Sequence, residues 1–311
     1  MENVIYDLII IGAGPGGMTA SVYASKAKLK TLMIERAYPG GKVTNTSLIE
    51  NWPGYQKIEG YKLATEMFQH SVAFGTQFVQ DEVLEIKDLG ELKSVVTKKT
   101  TYKTYAVIIA TGTKERKLGI ENEDKLYGRG VSYCAVCDGS LYKDNEMVVV
   151  GGGNSAFQEA LYLANFATKI YLAHRSSNFR AEETLIEEVK NNPKIEILTD
   201  HIATKLIGDT KLEEIVFKNL KTGKTFNIKA PVFFPFIGSD PVSDFVKNLG
   251  ITSEAGHIIA DKNMKTPIDG VYAIGDVLDK HLRQIVTATG DGSIAAMHSY
   301  KYIRDLQKKA N

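Results

Sequence analysis

The sequence predicts an α/β fold of two related domains, the second inserted into the first. Three observations predict it. An apolar run at residues 8–11 leads into a glycine loop, a stretch with helical apolar spacing, and a short strand at 31–34. The same order recurs in mid-chain, with a strand at 147–150, glycines at 151–153, a helix at 156–165 and a strand at 169–173. Two further strands, within 231–241 and 269–277, end in glycine-containing turns. Near-continuous apolar strands belong to parallel sheets buried on both faces, and strand–helix–strand repeats set parallel strands side by side. The expected plan is Rossmann-like, in a three-layer ββα form, with 1–113 and 242–311 building one domain and 114–241 the inserted one. The stretch 293–307 is expected to close the chain as a helix.

Composition narrows the function classes. The chain has 311 residues, 43% hydrophobic and 24% charged, with a net charge of +1. That is the balance of an ordinary globular protein, and it gives no basic surface for nucleic acid or an anionic membrane. No apolar run approaches the roughly 18 residues of a membrane span. The opening MENVIYDLIIIGAGPGG has no basic n-region or small-residue cleavage site, so it is read as a first strand, and the cytoplasm is the expected compartment. Only two cysteines occur, three residues apart, unlike a secreted disulfide scaffold.

The first chemical motif is the loop after the first strand. Gly12, Gly14 and Gly17 form G-x-G-x-x-G between strand and helix. The first glycine permits the tight turn, the second lets a pyrophosphate approach the backbone, and the third lets the helix pack on the strand. The helix N-terminus offers free N–H groups to phosphates. Glu35 follows 18 residues after Gly17, at the end of the next strand, where a carboxylate can accept hydrogen bonds from an unphosphorylated ribose.

In the inserted domain Gly151, Gly153 and Ala156 form G-x-G-x-x-A. Here the strand-end acid is missing, and the chain continues as His174, Arg175, Ser176, Ser177, Asn178, Phe179, Arg180. Basic residues in that place suit a ribose 2′-phosphate. The two sites are thus differentiated, acid in the first and base in the second.

The third motif is Cys134-Ala-Val-Cys137-Asp138. The spacing allows a disulfide that opens and closes easily and can lower a thiol pKa. Structural zinc would need four ligands; there is no second cysteine pair, and His70, His174, His201, His257, His281 and His298 are scattered. No metal is expected. Asp138 can be a helix N-cap, a proton donor or acceptor for the dithiol, or both.

With these three motifs in order, the chain resembles the low-molecular-weight thioredoxin reductase family. The resemblance runs nearly end to end, through GAGPGG, GGKVTNTSLIENWPG at 40–54, ATGT, GRGVSYCAVCDG, GGGNSA, HRSSNFRA, YAIGDV and RQIVTATGDG. It implies transfer of electrons from NADPH through FAD and a Cys134–Cys137 disulfide to oxidised thioredoxin, by a homodimer. It implies that FAD is held by Gly12, Gly14, Gly17 and Glu35, by Gly41, Lys42 and Asn51, and by Asp276, Arg283, Gln284 and Ile285. NADPH would be held by Gly151, Gly153, Asn154, Ser155, Ala156, Arg175 and Arg180. It implies that Cys137 lies against the flavin, that Cys134 attacks the protein substrate, and that Asp138 is the family's acid.

Two positions depart from the family pattern. H-R-R-x-x-x-R reads here with Ser176 in place of the second arginine. One charge-assisted bond is worth about 1.5–3 kcal/mol, so preference for NADPH over NADH is expected to weaken, although a serine hydroxyl can still bond a phosphate. Lys42 stands where the family more often has glutamine, and a cation near a flavin shifts its potential.

Cys137 precedes Gly151 by only 14 residues, inside the inserted domain. Nicotinamide site and disulfide thus belong to one rigid body and the flavin to the other, which implies rotation about the crossings near Thr113 and Pro241 so that each meets the flavin in turn. Four other readings stand beside this one. They are an NADH-using reductase, a ferredoxin-linked relative, which would tend to lose the second glycine motif and its arginines, a relative that reduces a peroxidase partner, and a flavin redox sensor without turnover.

Overall fold

The computed structural model describes residues 4–46, 48–280 and 282–310, so Ser47 in the 40–54 stretch and His281 lie outside the described residues. The chain forms two compact units, one of Met1–Thr44, Ile58–Lys114 and Asp240–Asn311, the other of Asn45–Lys57 and Glu115–Ser239.

The first unit is built on β1 (Ile5–Ile11), α1 (Pro15–Lys26) and β2 (Thr31–Glu35), followed by α2 (Gly60–Ala73) and β3 (Gln77–Gln80). A meander of β4 (Val83–Leu89), β5 (Leu92–Thr97) and β6 (Thr101–Ile109) completes a sheet ordered β3-β2-β1-β6-β5-β4. β6 does two jobs: its first half pairs antiparallel with β5, and its second half pairs parallel with the strand Val271–Ala273. The alternation along β1 sorts the core. Leu8 and Ile10 pack with Met18 and Ala24 of α1 and with Ala295 and Ile303 of the C-terminal helix (Ile285–Ala310), while Ile9 and Ile11 pack on the other face with Ile86, Val95 and Val246. Each such fully buried Ile or Leu contributes about 1.5–3 kcal/mol. A helical layer on one face and a β layer on the other give the expected three-layer arrangement.

The chain leaves this unit at β7 (Thr113–Glu115). The second unit begins with the one-turn α3 (Ala135–Asp138), then β8 (Glu146–Val150), α4 (Asn154–Leu163), β9 (Lys169–His174), α5 (Glu183–Asn191) and β10 (Ile195–Thr199). The antiparallel strands β11 (His201–Ile207), β12 (Glu214–Asn219) and β13 (Thr225–Lys229) come next, then β14 (Phe233–Pro235) and the return strand β15 (Ser239–Pro241), which pairs with β7. The parallel sheet runs β10-β9-β8-β14. Met147 and Val149 of β8 face Phe157 and Ala160 of α4, while Val148 and Val150 face Phe217 and Ile228 of the antiparallel strands. The three layers are repeated.

Residues 45–57, placed with the first domain from sequence, group with the second unit. Polar contacts account for part of this: the Ser140 hydroxyl donates to Glu50 Oε2 at 3.1 Å, and Glu50 pairs with Lys57 at 2.8 Å.

Candidate functional site

In the first unit the glycine loop is built by close approach. A Cβ on Gly17 would lie 2.0 Å from the Gly12 carbonyl oxygen, and one on Gly12, where φ is +106°, would lie 2.4 Å from the Ala110 carbonyl oxygen. Only glycine fits either place. Gly14 differs: its Cβ would meet nothing within 4 Å, so the space beside the start of α1 is open. Pro15 follows at the first helical position, where a missing N–H costs nothing. The Glu35 carboxylate braces the loop by accepting from the Ala13 N–H at 2.9 Å and the Ala37 N–H at 3.0 Å. Each oxygen retains a lone pair for a ligand hydroxyl.

Of the other expected residues of this set, Gly41 lies beside this loop. The Gly40 N–H donates to the Ala13 carbonyl at 2.7 Å, and a Cβ on Gly41 would lie 3.4 Å from the Gly14 Cα. Lys42 follows, its Nζ donating to Thr113 Oγ1 at 2.6 Å. From the far end of the chain, the Ala288 carbonyl and the Ile274 side chain reach the position of Gly16. Asp276 sits in a single turn Gly275–Val277, fixed by the Gly275 N–H donating to Asp291 at 2.9 Å. Arg283 and Gln284 lie just before Ile285, the first residue of the C-terminal helix, and Arg283 Nε is buried with no partner. Asn51 is exposed and lies within the 45–57 segment, which groups with the second unit.

The second unit repeats the cradle. A Cβ on Gly151 would lie 2.4 Å from the Phe236 carbonyl oxygen and 2.6 Å from the Ala156 Cβ, so a small residue is needed at both places. Gly153 is open like Gly14, with nothing within 4 Å of a Cβ. Asn154 and Ser155 begin α4 just beyond it. Asn154 is locked to Glu182 by two reciprocal bonds of 2.9 and 2.8 Å. The His174 ring packs against Gly152, where a Cβ would meet the ring at 2.3 Å, and the Arg180 N–H donates to the Gly152 carbonyl at 2.6 Å. Burial holds the His174 imidazole below the usual histidine range, and the charges of Arg175 and Arg180 push the same way. Both arginines are exposed beside the loop. The Ser176 hydroxyl is turned inward, donating to the Asn178 carbonyl at 3.1 Å and accepting from the Asn178 N–H at 3.3 Å.

In the same unit Cys134 and Cys137 form a disulfide, with Cα atoms 5.3 Å apart. Cys134 caps the one-turn helix α3, and the Cys137 N–H donates to Cys134 Sγ at 3.2 Å. That places a hydrogen-bond donor on the sulfur that would carry charge once the disulfide opens. Asp138 closes this turn, whose N-cap is Cys134, and stands at the N-cap position of the following 3-10 turn Gly139–Tyr142, where its side chain makes no capping bond. Burial raises the Asp138 carboxyl above the usual carboxylate range, the Ser132 hydroxyl opposing it, and Oδ1 has no partner. The arrangement can hold and release a proton beside a dithiol.

Three residues around the disulfide were not singled out from sequence. Ser132 Oγ accepts from the Cys134 N–H at 3.1 Å. The Tyr133 hydroxyl donates to Glu123 at 2.8 Å, and Glu123 also accepts from the Leu118 and Gly119 N–H groups at 3.0 and 2.8 Å. Glu123 thereby anchors the strand of chain entering the cysteine turn.

Residues 6–292 match the pyridine nucleotide-disulphide oxidoreductase family. A thioredoxin reductase of Bacillus subtilis is 45% identical over 99% of this chain and 98% of its own length. That of Listeria innocua is 43% identical over 99% and 97%. The crystal structure of thioredoxin reductase from Streptococcus pyogenes, 42% identical, superposes with a TM-score of 0.94 over 98% of this chain and 100% of that one. With the glycine cradles and the disulfide in place, the chain belongs to the pyridine nucleotide-disulphide oxidoreductase family and, within it, to the thioredoxin reductases.

Proposed function

We propose that this flavoenzyme passes electrons from NADPH through FAD to the Cys134–Cys137 disulfide, and from there to the disulfide of a thioredoxin. The observation that carries the reading is the placement of that disulfide, beside a buried acid and in the same unit as the Gly151–Gly153 cradle and its two arginines.

FAD fits the first unit. Gly14 opens the pyrophosphate space, Glu35 keeps lone pairs for a ribose, and the unpartnered Arg283 Nε is a donor awaiting an acceptor. Gly12, Gly17, Gly41, Lys42, Asp276, Gln284 and Ile285 would complete the site, and Asn51 is assigned to FAD by the resemblance alone. When bound, FAD supplies the hydride-accepting chemistry that links a nicotinamide to a disulfide. In the second unit Gly151, Gly153, Asn154, Ser155 and Ala156 would hold the nicotinamide dinucleotide, with Arg175 and Arg180 on its 2′-phosphate.

The chain's own part begins once the disulfide is reduced. The Cys134 thiolate, held by the Cys137 N–H, attacks one sulfur of the thioredoxin disulfide; a mixed disulfide forms and the other thioredoxin sulfur leaves as a thiolate. Cys137 then attacks Cys134 Sγ, the Cys134–Cys137 bond re-forms, and reduced thioredoxin leaves. Asp138 holds the proton that the departing or arriving sulfur exchanges. Rotation of one unit on the other about the two crossings is part of the proposal. A crosslink between the units that leaves both half-reactions running would exclude it.

A specific observation favours a second reading of the nucleotide. The single Ser176 hydrogen is already used on the Asn178 carbonyl, so NADH is expected to compete better than in a relative with a third arginine. The ferredoxin-linked reading is disfavoured by the intact second cradle. A homodimer is proposed, supported by the exposed apolar side chains Tyr23, Phe74, Ile294 and Met297 of the first unit. Among the described residues no helix is long and apolar enough to cross a membrane, and the cytoplasm is the proposed compartment.

The test is steady-state kcat/KM for NADPH and for NADH with thioredoxin as acceptor. Turnover with either supports the reading, and the ratio settles the nucleotide. No thioredoxin reduction with either, by FAD-loaded enzyme, would overturn it.

A further inference from the structure

The loop between β9 and α5 carries both arginines proposed for the 2′-phosphate, Arg175 and Arg180, and both are exposed. An exposed guanidinium on a long stem holds a phosphate in one place only if the backbone beneath it is fixed. The structure ties this loop to α4 and to the glycine turn before it. The Phe179 ring packs edge-on against Phe157 of α4, with centroids 5.0 Å apart. The Arg180 N–H donates to the Gly152 carbonyl at 2.6 Å. Just beyond Arg180, the Glu182 N–H donates to Asn154 Oδ1 at 2.8 Å, and Asn154 Nδ2 donates back to Glu182 Oε1 at 2.9 Å.

The last tie does not follow from local structure. Glu182 stands at the N-cap of α5, where an oxygen-bearing side chain would ordinarily accept from the first N–H groups of its own helix. Its carboxylate makes no such bond. It meets Asn154, the first residue of α4, 28 positions back in the sequence. We infer that Glu182 is a positioning residue for the 2′-phosphate: through Asn154 it fixes the loop carrying Arg175 and Arg180 to the start of α4. The carboxylate acts by geometry and not by charge, because a negative charge near a phosphate repels it. The inference rests on the proposed assignment of the two arginines to NADPH.

The test is equilibrium binding of NADP+ and of NAD+ to the flavin-loaded enzyme, measured by calorimetry, which gives the ratio of the two affinities without turnover. In the wild type NADP+ should bind more tightly. Glu182→Ala removes one of the two bonds, and the ratio should fall about fivefold with the affinity for NAD+ unchanged. Glu182→Gln keeps the accepting oxygen and drops the charge, so it should retain the wild-type ratio. Asn154→Ala removes both bonds; its ratio should fall further, and adding Glu182→Ala to it should lower it no more. An undiminished ratio in Glu182→Ala would overturn the inference and leave the arginine assignment standing. A ratio raised in both Glu182→Ala and Glu182→Gln would also overturn it, since Glu182 would then act as a charge. A wild type that binds NADP+ no better than NAD+ would overturn the arginine assignment, and the inference with it.

Discussion

The Cys137 N–H donates to Cys134 Sγ at 3.2 Å, so the second cysteine of the pair supplies a hydrogen bond to the first as well as its disulfide partner. The bond exists because Cys134 occupies the N-cap of a one-turn helix whose third residue is Cys137. A C-x-x-C on such a turn has unequal sulfurs. The sulfur of Cys134 in the reduced enzyme should therefore be the more reactive of the two toward an alkylating agent. Iodoacetamide alkylation of the dithiol form, mapped by mass spectrometry between pH 6 and 9, should label Cys134 first at every pH.

Asp138 should show its burial in the pH dependence of stability. Its folded pKa is raised, so the protonated form is favoured by folding. Its contribution is fully present below the unfolded carboxylate value and is lost as pH rises through the folded value. Asp138→Asn removes the ionisable group. Its melting temperature should fall less than that of the wild type between pH 4 and 8, while thioredoxin turnover drops about a hundredfold. Calorimetry beside the turnover assay checks both.

The two cradles should fail independently. In Gly17→Ala the new Cβ would press on the Gly12 carbonyl oxygen at 2.0 Å, and the purified protein should lose most of its flavin absorbance. In Gly151→Ala the clash is with the Phe236 carbonyl at 2.4 Å. Flavin content should stay at wild-type level while the KM for NADPH rises at least tenfold. Loss of flavin in both variants would contradict the assignment of one nucleotide to each unit.

Ser176→Arg should sharpen nucleotide choice. The serine hydroxyl is occupied by Asn178, so a guanidinium there adds a phosphate ligand and displaces only a local turn bond. The ratio of kcat/KM for NADPH over NADH should increase about tenfold to a hundredfold.

Much of this was legible in the sequence, because glycine spacing and apolar strands carry their own geometry. Gly12, Gly17 and Gly151 sit where a side chain would strike backbone, and that requirement is written in the motif. Less legible was whatever tertiary partners decide. The C-terminal helix begins at Ile285 and not at 293, although Gly290 and Gly292 within it are poor helix formers. Packing overrides that signal: a Cβ on Gly292 would lie 2.4 Å from the Gly16 carbonyl, and Asp291 is held by the Gly275 N–H and Lys280. β1 begins at Ile5 rather than residue 8, because pairing with β6 continues past the apolar run. Ser132 and Glu123 had no periodicity or motif to mark them; their roles come from what the fold sets beside Cys134 and Tyr133.

The central claim is that electrons reach thioredoxin through the Cys134–Cys137 pair. The direct measurement is NADPH-dependent reduction of thioredoxin by FAD-loaded wild type and Cys134→Ser, with flavin bleaching followed in the same samples. Wild type should turn over, and the variant should bleach its flavin yet reduce no thioredoxin. Full turnover by Cys134→Ser, or none by the wild type, would contradict the account.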